Sequence, residues 1–139
     1  METGVSLERL RSLSPVIMAY IGDAVYELYV RKLLISQGPK KISKLHKQAV
    51  SCVNASTQAK LYHYLEEHQL LTEEELGILR RGRNAKTGQS PKNADITDYR
   101  HSTGLECLVG YLHLKGEEER LEQLLGYLAD IVSEWGNGK

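Results

Sequence analysis

The sequence predicts an all-α fold, on three observations. Apolar residues recur at three- and four-residue intervals through most of the chain, no alternating apolar and polar run is long enough for a strand, and helix caps punctuate the segments. The 139 residues, 41% of them hydrophobic, suit one compact domain over 1–139 with a single core. Lys and Arg number 18, as do Asp and Glu, so no field of the whole molecule attracts a polyanion; such a site must come from local segregation of charge. Neither an internal repeat nor a low-complexity tract is present. Cys52 and Cys107 stand in apolar-periodic contexts without C-x-x-C spacing, as reduced core residues do. The N-terminus has no basic stretch followed by an unbroken apolar run, and the longest apolar segment is interrupted by Asp23, Glu27, Arg31 and Lys32. A soluble, cytoplasmic protein with no membrane segment is expected.

The first helix is expected to start at Ser14-Pro15, a serine cap followed by a proline that gives up no needed hydrogen bond, and to reach about residue 35. Val16, Tyr20, Ala24 and Leu28 recur at helical spacing, and Ile17, Ile21 and Val25 widen the stripe, so this helix should be largely buried. Gly22 in its middle costs about 1 kcal/mol relative to alanine, which makes sense where another helix approaches closely. Ser36-Gln37-Gly38-Pro39 ends it. Ile42-Ser43 opens a second helix carrying Leu45, Ala49 and Val53. Residues 54–68 read as helix again, with Ala55, Ala59, Tyr62 and Leu65 on one face; one continuous helix across both is the alternative. Thr72-Glu73-Glu74-Glu75 forms a capping box whose acids favour the positive end of the helix dipole, and that helix should end at Arg80-Arg81-Gly82. Over residues 83–97 the pattern gives way to Gly, Asn, Lys, Ser, Thr and Pro, a long surface loop for so small a domain. A further helix should run from about residue 99 to 115, with Leu105, Leu108, Val109 and Leu112 inward and Glu106 among them. The last begins near Gly116, continues through Leu121, Leu125, Leu128 and Val132 to Trp135, and has the cleanest amphipathic pattern in the chain.

Two features carry chemistry. Asp23 and Glu106 are acids on the two most apolar-flanked helices, each with a glycine nearby: Gly22 beside Asp23, and Gly110 one turn after Glu106. If the glycines mark a close crossing, the acids converge, and two carboxylates with waters suit a hard divalent cation such as Mg²⁺ when a phosphate supplies further oxygens. The plainer alternative pairs either acid with an arginine such as Arg31 or Arg100, or has it cap a neighbouring helix. Glu27, one turn from Asp23 on the same face, is a candidate to orient water around such an ion. The second feature is Arg80, Arg81, Arg83, Lys86 and Lys92, with no acid among them, in a segment whose cations and backbone amides can meet phosphate oxygens. Its plainer alternative is a solvated basic loop that complements a helix C-terminus. The five histidines are dispersed without zinc-site spacing, and neither a nucleophile elbow nor a P-loop is present.

Tyr20-Ile21-Gly22-Asp23-Ala24-Val25 resembles the core signature of the ribonuclease III family, and Glu106-Cys107-Leu108-Val109-Gly110-Tyr111-Leu112 resembles that family's second acidic helix. With Arg80-Arg81-Gly82-Arg83-Asn84-Ala85-Lys86, Pro91-Lys92-Asn93 and the whole-chain length, the resemblance is to the short bacterial branch, which lacks a separate double-stranded-RNA-binding domain. It covers nearly the entire chain. It implies an all-helical homodimer whose long helices form a groove for double-stranded RNA, with one Mg²⁺-dependent site per subunit cutting one strand each. Asp23 and Glu106 match the family's catalytic acids and would hold the metal. Longer members usually carry further acids where this chain has Ala19 and Thr103, so those roles are not carried over and the number of protein ligands stays open.

On this resemblance His46, Lys47, Arg80, Arg81, Arg83, Lys86 and Lys92 are candidates for phosphate or groove contacts, with recognition through A-form shape and backbone. The implied substrate is precursor large-subunit ribosomal RNA, and an implied partner is a large-subunit ribosomal protein that presents its stem. Two other classes compete: a non-catalytic RNA-binding ribosome-assembly module with the same fold, and a helical protein-interaction adaptor. Retention of Asp23 and Glu106 argues against the first, and the adaptor leaves two acids beside two glycines unexplained. The apolar stripe of the first helix exceeds what a small core needs, so the dimer interface is expected there.

Overall fold

The computed structural model describes residues 5–86 and 95–132. In order, the helices are α1 (Leu7–Ser12), α2 (Pro15–Ser36), α3 (Ile42–Val53), α4 (Ala55–Glu67), α5 (Glu73–Asn84), α6 (Ile96–Lys115), α7 (Glu118–Gly126) and α8 (Leu128–Ile131), and no strand occurs among the described residues. Lys92 and Trp135 lie outside the described residues.

Local chemistry explains most of the boundaries. The Ser14 hydroxyl accepts the Ile17 N–H and Pro15 opens α2. Asn54 is extended (φ −76°, ψ 159°) and its side chain accepts the Thr57 N–H at 2.8 Å, so α3 and α4 are separate helices; the continuous alternative is excluded. Thr72 and Glu75 make the expected reciprocal capping box. The helix it starts continues past Gly82 to Asn84, and Asp95 caps α6 at the Asp98 N–H, so the segment between the two helices is shorter than the sequence pattern suggested. Gly116, at φ +86°, closes α6 in the left-handed region. The C-terminal amphipathic pattern breaks at Tyr127 into α7 and α8, while Leu121, Leu124, Leu125 and Leu128 still share the core. Arg120 ties α7 to the start of α5, donating to both Glu75 oxygens at 2.7 and 2.9 Å and to the Leu70 carbonyl at 2.8 Å. Burial pulls the Glu75 pKa up, but hydrogen bonds from Arg120 and Thr72 outweigh it and hold the carboxyl below its ordinary value.

The core surrounds α6, whose Leu105, Cys107, Leu108, Val109, Tyr111 and Leu112 are all buried. α2 crosses it at a glycine pair: a Cβ on Gly22 would overlap the Glu106 carbonyl, and one on Gly110 would overlap the Met18 carbonyl. The close helix approach expected at Gly22 is therefore present, with α6 as the partner. α5 meets α6 at a second such pair, where a Cβ on Gly82 would lie 2.9 Å from the Gly104 Cα.

One expectation is reversed on α2. Its core face is Met18, Ala19, Gly22, Val25, Tyr26, Tyr29 and Val30, while Val16, Ile17, Ala24 and Leu28 are exposed and Tyr20 is 81% exposed. Apolar residues nearly encircle this helix, so periodicity cannot choose the inward side; the glycine crossing with α6 does. Cys52 and Cys107 are free and buried. No helix among the described residues is long and apolar enough to cross a membrane.

Candidate active site

The α2–α6 crossing brings Asp23 and Glu106 together. Gly22 lies against the Glu106 carbonyl, so the side chain next to Gly22 and the side chain of Glu106 emerge into the same cleft, which Ala19, Tyr20, Tyr99 and Thr103 also line. Asp23 is exposed and Glu106 half-buried, and their carboxyl groups lie within hydrogen-bond reach of each other. Burial first, and the facing Asp23 second, push the Glu106 pKa up to about 8. Two carboxyl groups this close cannot both be ionised cheaply; at neutral pH Glu106 keeps its proton unless the pair accepts a cation.

Below them the site is polar by design of the neighbouring helices. The Gln58 side-chain amide, from α4, donates to Glu106 Oε2 at 3.3 Å. The Tyr26 hydroxyl donates to the Cys52 carbonyl at 2.6 Å, joining α2 to the end of α3, and burial with nearby Cys52 and Glu106 raises its pKa. Thr103, which stands where longer family members have an acid, spends its hydroxyl on the Tyr99 carbonyl at 2.9 Å.

The plainer arginine pairing does not occur. Arg31 bonds Glu27 at 2.5 Å, one turn away on the surface of α2, and no described ion pair joins Arg31 or Arg100 to either acid. Glu27 pairs with Arg31 on the surface of α2 and is not among the described residues lining the cleft.

The described basic residues do not all share one face. Arg80, Arg81 and Arg83 belong to α5, where each residue turns about 100° from the last. Arg80 bonds Glu66 at 3.0 Å, and Arg83 donates to the Tyr62 hydroxyl at 3.1 Å, so both lean towards α4. Arg81 lines a different depression with Leu10, Met18 and Tyr111. Lys86 is exposed beyond the end of α5. His46 and Lys47 are exposed on α3, His46 at the edge of an apolar groove with Ile35, Ile42 and Leu45.

Sequence reasoning missed Gln58. The signal was a glutamine between Ala55 and Tyr62 on the apolar face of α4, at spacings of three and four residues. It also missed that no acidic residue separates Glu27 from Glu66, a span that includes His46, Lys47 and all of α3.

Comparisons with known proteins show the family. The Ribonuclease III domain family matches residues 17–117. The chain is 45% identical over 124 residues to the Mini-ribonuclease 3 of Enterococcus faecalis, covering 89% of this chain and 94% of that protein. It is 48% identical over 119 residues to the Mini-ribonuclease 3 of Brevibacillus brevis, covering 86% and 87%. A crystal structure of a Fusobacterium nucleatum protein superposes with a TM-score of 0.74 at 30% identity, covering 86% of this chain and 94% of that one. With two crossing acidic helices and relatives matched along nearly their whole length, the chain belongs to the ribonuclease III family, in its Mini-ribonuclease 3 branch.

Proposed function

We propose that this chain is an endoribonuclease that cleaves double-stranded RNA with Mg²⁺ held by Asp23 and Glu106. The observation that carries the proposal is the convergence of these two carboxyl groups in a cleft that, among the described residues, is lined by no lysine or arginine. The residues fit a hard cation: the donors are carboxylate oxygens, and their mutual repulsion is relieved by positive charge between them. Among the described residues no group of three or more His, Cys, Asp and Glu gathers around a common point, so most remaining ligands would be water and phosphate, as Mg²⁺ favours. When bound, such an ion polarises the phosphate and activates the attacking water.

The protein's own part is positioning. Asp23 and Glu106 come from different helices whose spacing the Gly22 and Gly110 contact fixes, so the two acids are presented as a pair. The Gln58 amide restrains Glu106 from below. Arg83 and Lys86, near the end of α5, and His46 and Lys47, on the acid-free span, supply charge to phosphates along the duplex; Lys92, Arg80 and Arg81 are weaker or unplaced contributors. Recognition relies on A-form shape and backbone, since the deep major groove hides base edges. The exposed apolar face of α2, with Ile17, Tyr20 and Leu28, suits an isologous dimer contact beside the cleft. One domain over 1–139, cytoplasmic location, precursor large-subunit ribosomal RNA as substrate and a large-subunit ribosomal protein as its presenter complete the proposal; their support is the resemblance to the short bacterial branch.

Cleavage of an end-labelled double-stranded RNA tests it, in Mg²⁺ and in EDTA, with Asp23→Asn and Glu106→Gln alongside. Cutting in Mg²⁺ that both substitutions reduce at least about 100-fold, with RNA binding retained, is expected. Binding without cutting under every condition would instead identify a non-catalytic assembly module.

A further inference from the structure

We infer that Gln58 is a positioning residue of the nuclease site: its side-chain amide, supplied by a third helix, holds the Glu106 carboxylate in the orientation that receives the divalent cation. The inference rests on the proposed nuclease function and deepens it.

Gln58 is 3% exposed, and its neighbours on α4, Ala59, Leu61 and Tyr62, are buried apolar or aromatic residues. A long polar side chain in such a place gives up rotamer freedom and hydration, which an apolar residue of similar size would not. Its hydrogen bond crosses from α4 to α6 and ends on Glu106 Oε2, 48 positions away in sequence. The bond is therefore a tertiary feature aimed at one of the two acids, and packing does not require it.

The residue type also fits the task. An ionised carboxylate only accepts hydrogen bonds, so the amide must present its NH₂ end, and the contact favours the form of Glu106 that binds a cation. A lysine or arginine here would neutralise Glu106 and compete with the ion, a leucine would leave the carboxylate free to rotate, and an acid would add a third repelling charge. A neutral donor restrains the carboxylate without taking the cation's place. α4 is fixed for this purpose independently of the site, by the Asn54 cap at its start and by Leu61, Tyr62 and Leu65 in the core.

Calorimetric titration of the full chain with Mn²⁺ in the absence of RNA, for the wild type, Gln58→Leu and Gln58→Met, tests the inference. Both substitutions keep the volume and remove the donor. Mn²⁺ affinity should fall about 10- to 100-fold in both, as for other residues that orient metal ligands, with the circular dichroism of the ion-free protein unchanged. In RNA cleavage the loss should appear at limiting Mg²⁺ and recover at high Mg²⁺, with the KM for RNA unchanged. In a Glu106→Gln background, removing Gln58 should cost nothing further. Unchanged Mn²⁺ affinity in both variants overturns the inference, whether or not their melting temperatures move. A wild type that neither binds Mn²⁺ nor cuts RNA overturns the nuclease proposal itself.

Discussion

Glu106 makes the stability of the ion-free protein depend on pH. Its pKa is 4.5 when unperturbed and about 8 in the fold, raised by burial and then by Asp23. Between those values the folded chain carries a proton that the unfolded chain has released, so this group's contribution is fully present below the lower value and is lost as pH rises through the upper one. With EDTA present, the melting temperature should therefore decline as pH rises from ~5 to ~8, and Glu106→Gln, neutral throughout, should flatten that decline. A melting temperature that runs in parallel for the two proteins would show that Glu106 titrates normally in the fold. Because a cation displaces the Glu106 proton, stabilisation by added Mg²⁺ should grow over the same range.

Among the helices, the decisive contact is backbone against backbone where α2 crosses α6. Gly22→Ala would drive a methyl group into the Glu106 carbonyl, and the helices would have to separate. A loss of about 3 kcal/mol in urea unfolding is expected, at the upper end of ordinary overpacking, because the obstacle is main chain and cannot rotate away. Gly77→Ala on α5, where nothing lies within 4 Å of the added carbon, provides the control and should be neutral or stabilising by up to about 1 kcal/mol. Equal effects at both positions would mean that helix propensity, and not the crossing, sets the result. The crossing also sets the distance between the two acids, so Gly22→Ala should depress cleavage more than RNA binding.

At the scale of the whole molecule, the outer face of α2 is a broad exposed apolar surface. Ile17 and Leu28, 52% and 53% exposed, flank the cleft without lining it, so acids placed there test association without touching the site. The wild type should sediment at about twice the 15.7 kDa of one chain, and Ile17→Glu with Leu28→Glu should return it to the single mass with the helical content retained. A wild type that sediments as one chain at micromolar concentration would remove the dimer from the proposal.

Caps, capping boxes and apolar periods are local, and they determined the all-α class, the start of α2 at Pro15, the capping box at Thr72 and the buried face of α6 from the sequence alone. The sequence likewise marked Asp23 and Glu106, because an acid beside a glycine in an apolar helix is costly unless something approaches it. Which face of α2 turns inward was decided only in three dimensions, since a helix apolar nearly all round offers its period several answers and the close contact of Gly22 with α6 selects one. The break at Asn54 was also settled there, by an extended residue that caps α4 where the pattern allowed a continuous helix. Helical rotation set Arg81, which lines a separate depression, apart from Arg80 and Arg83, which both lean towards α4, while Gln58 was brought to Glu106 from 48 positions away. A contact of that kind depends on how three helices pack, and no spacing along the chain encodes it.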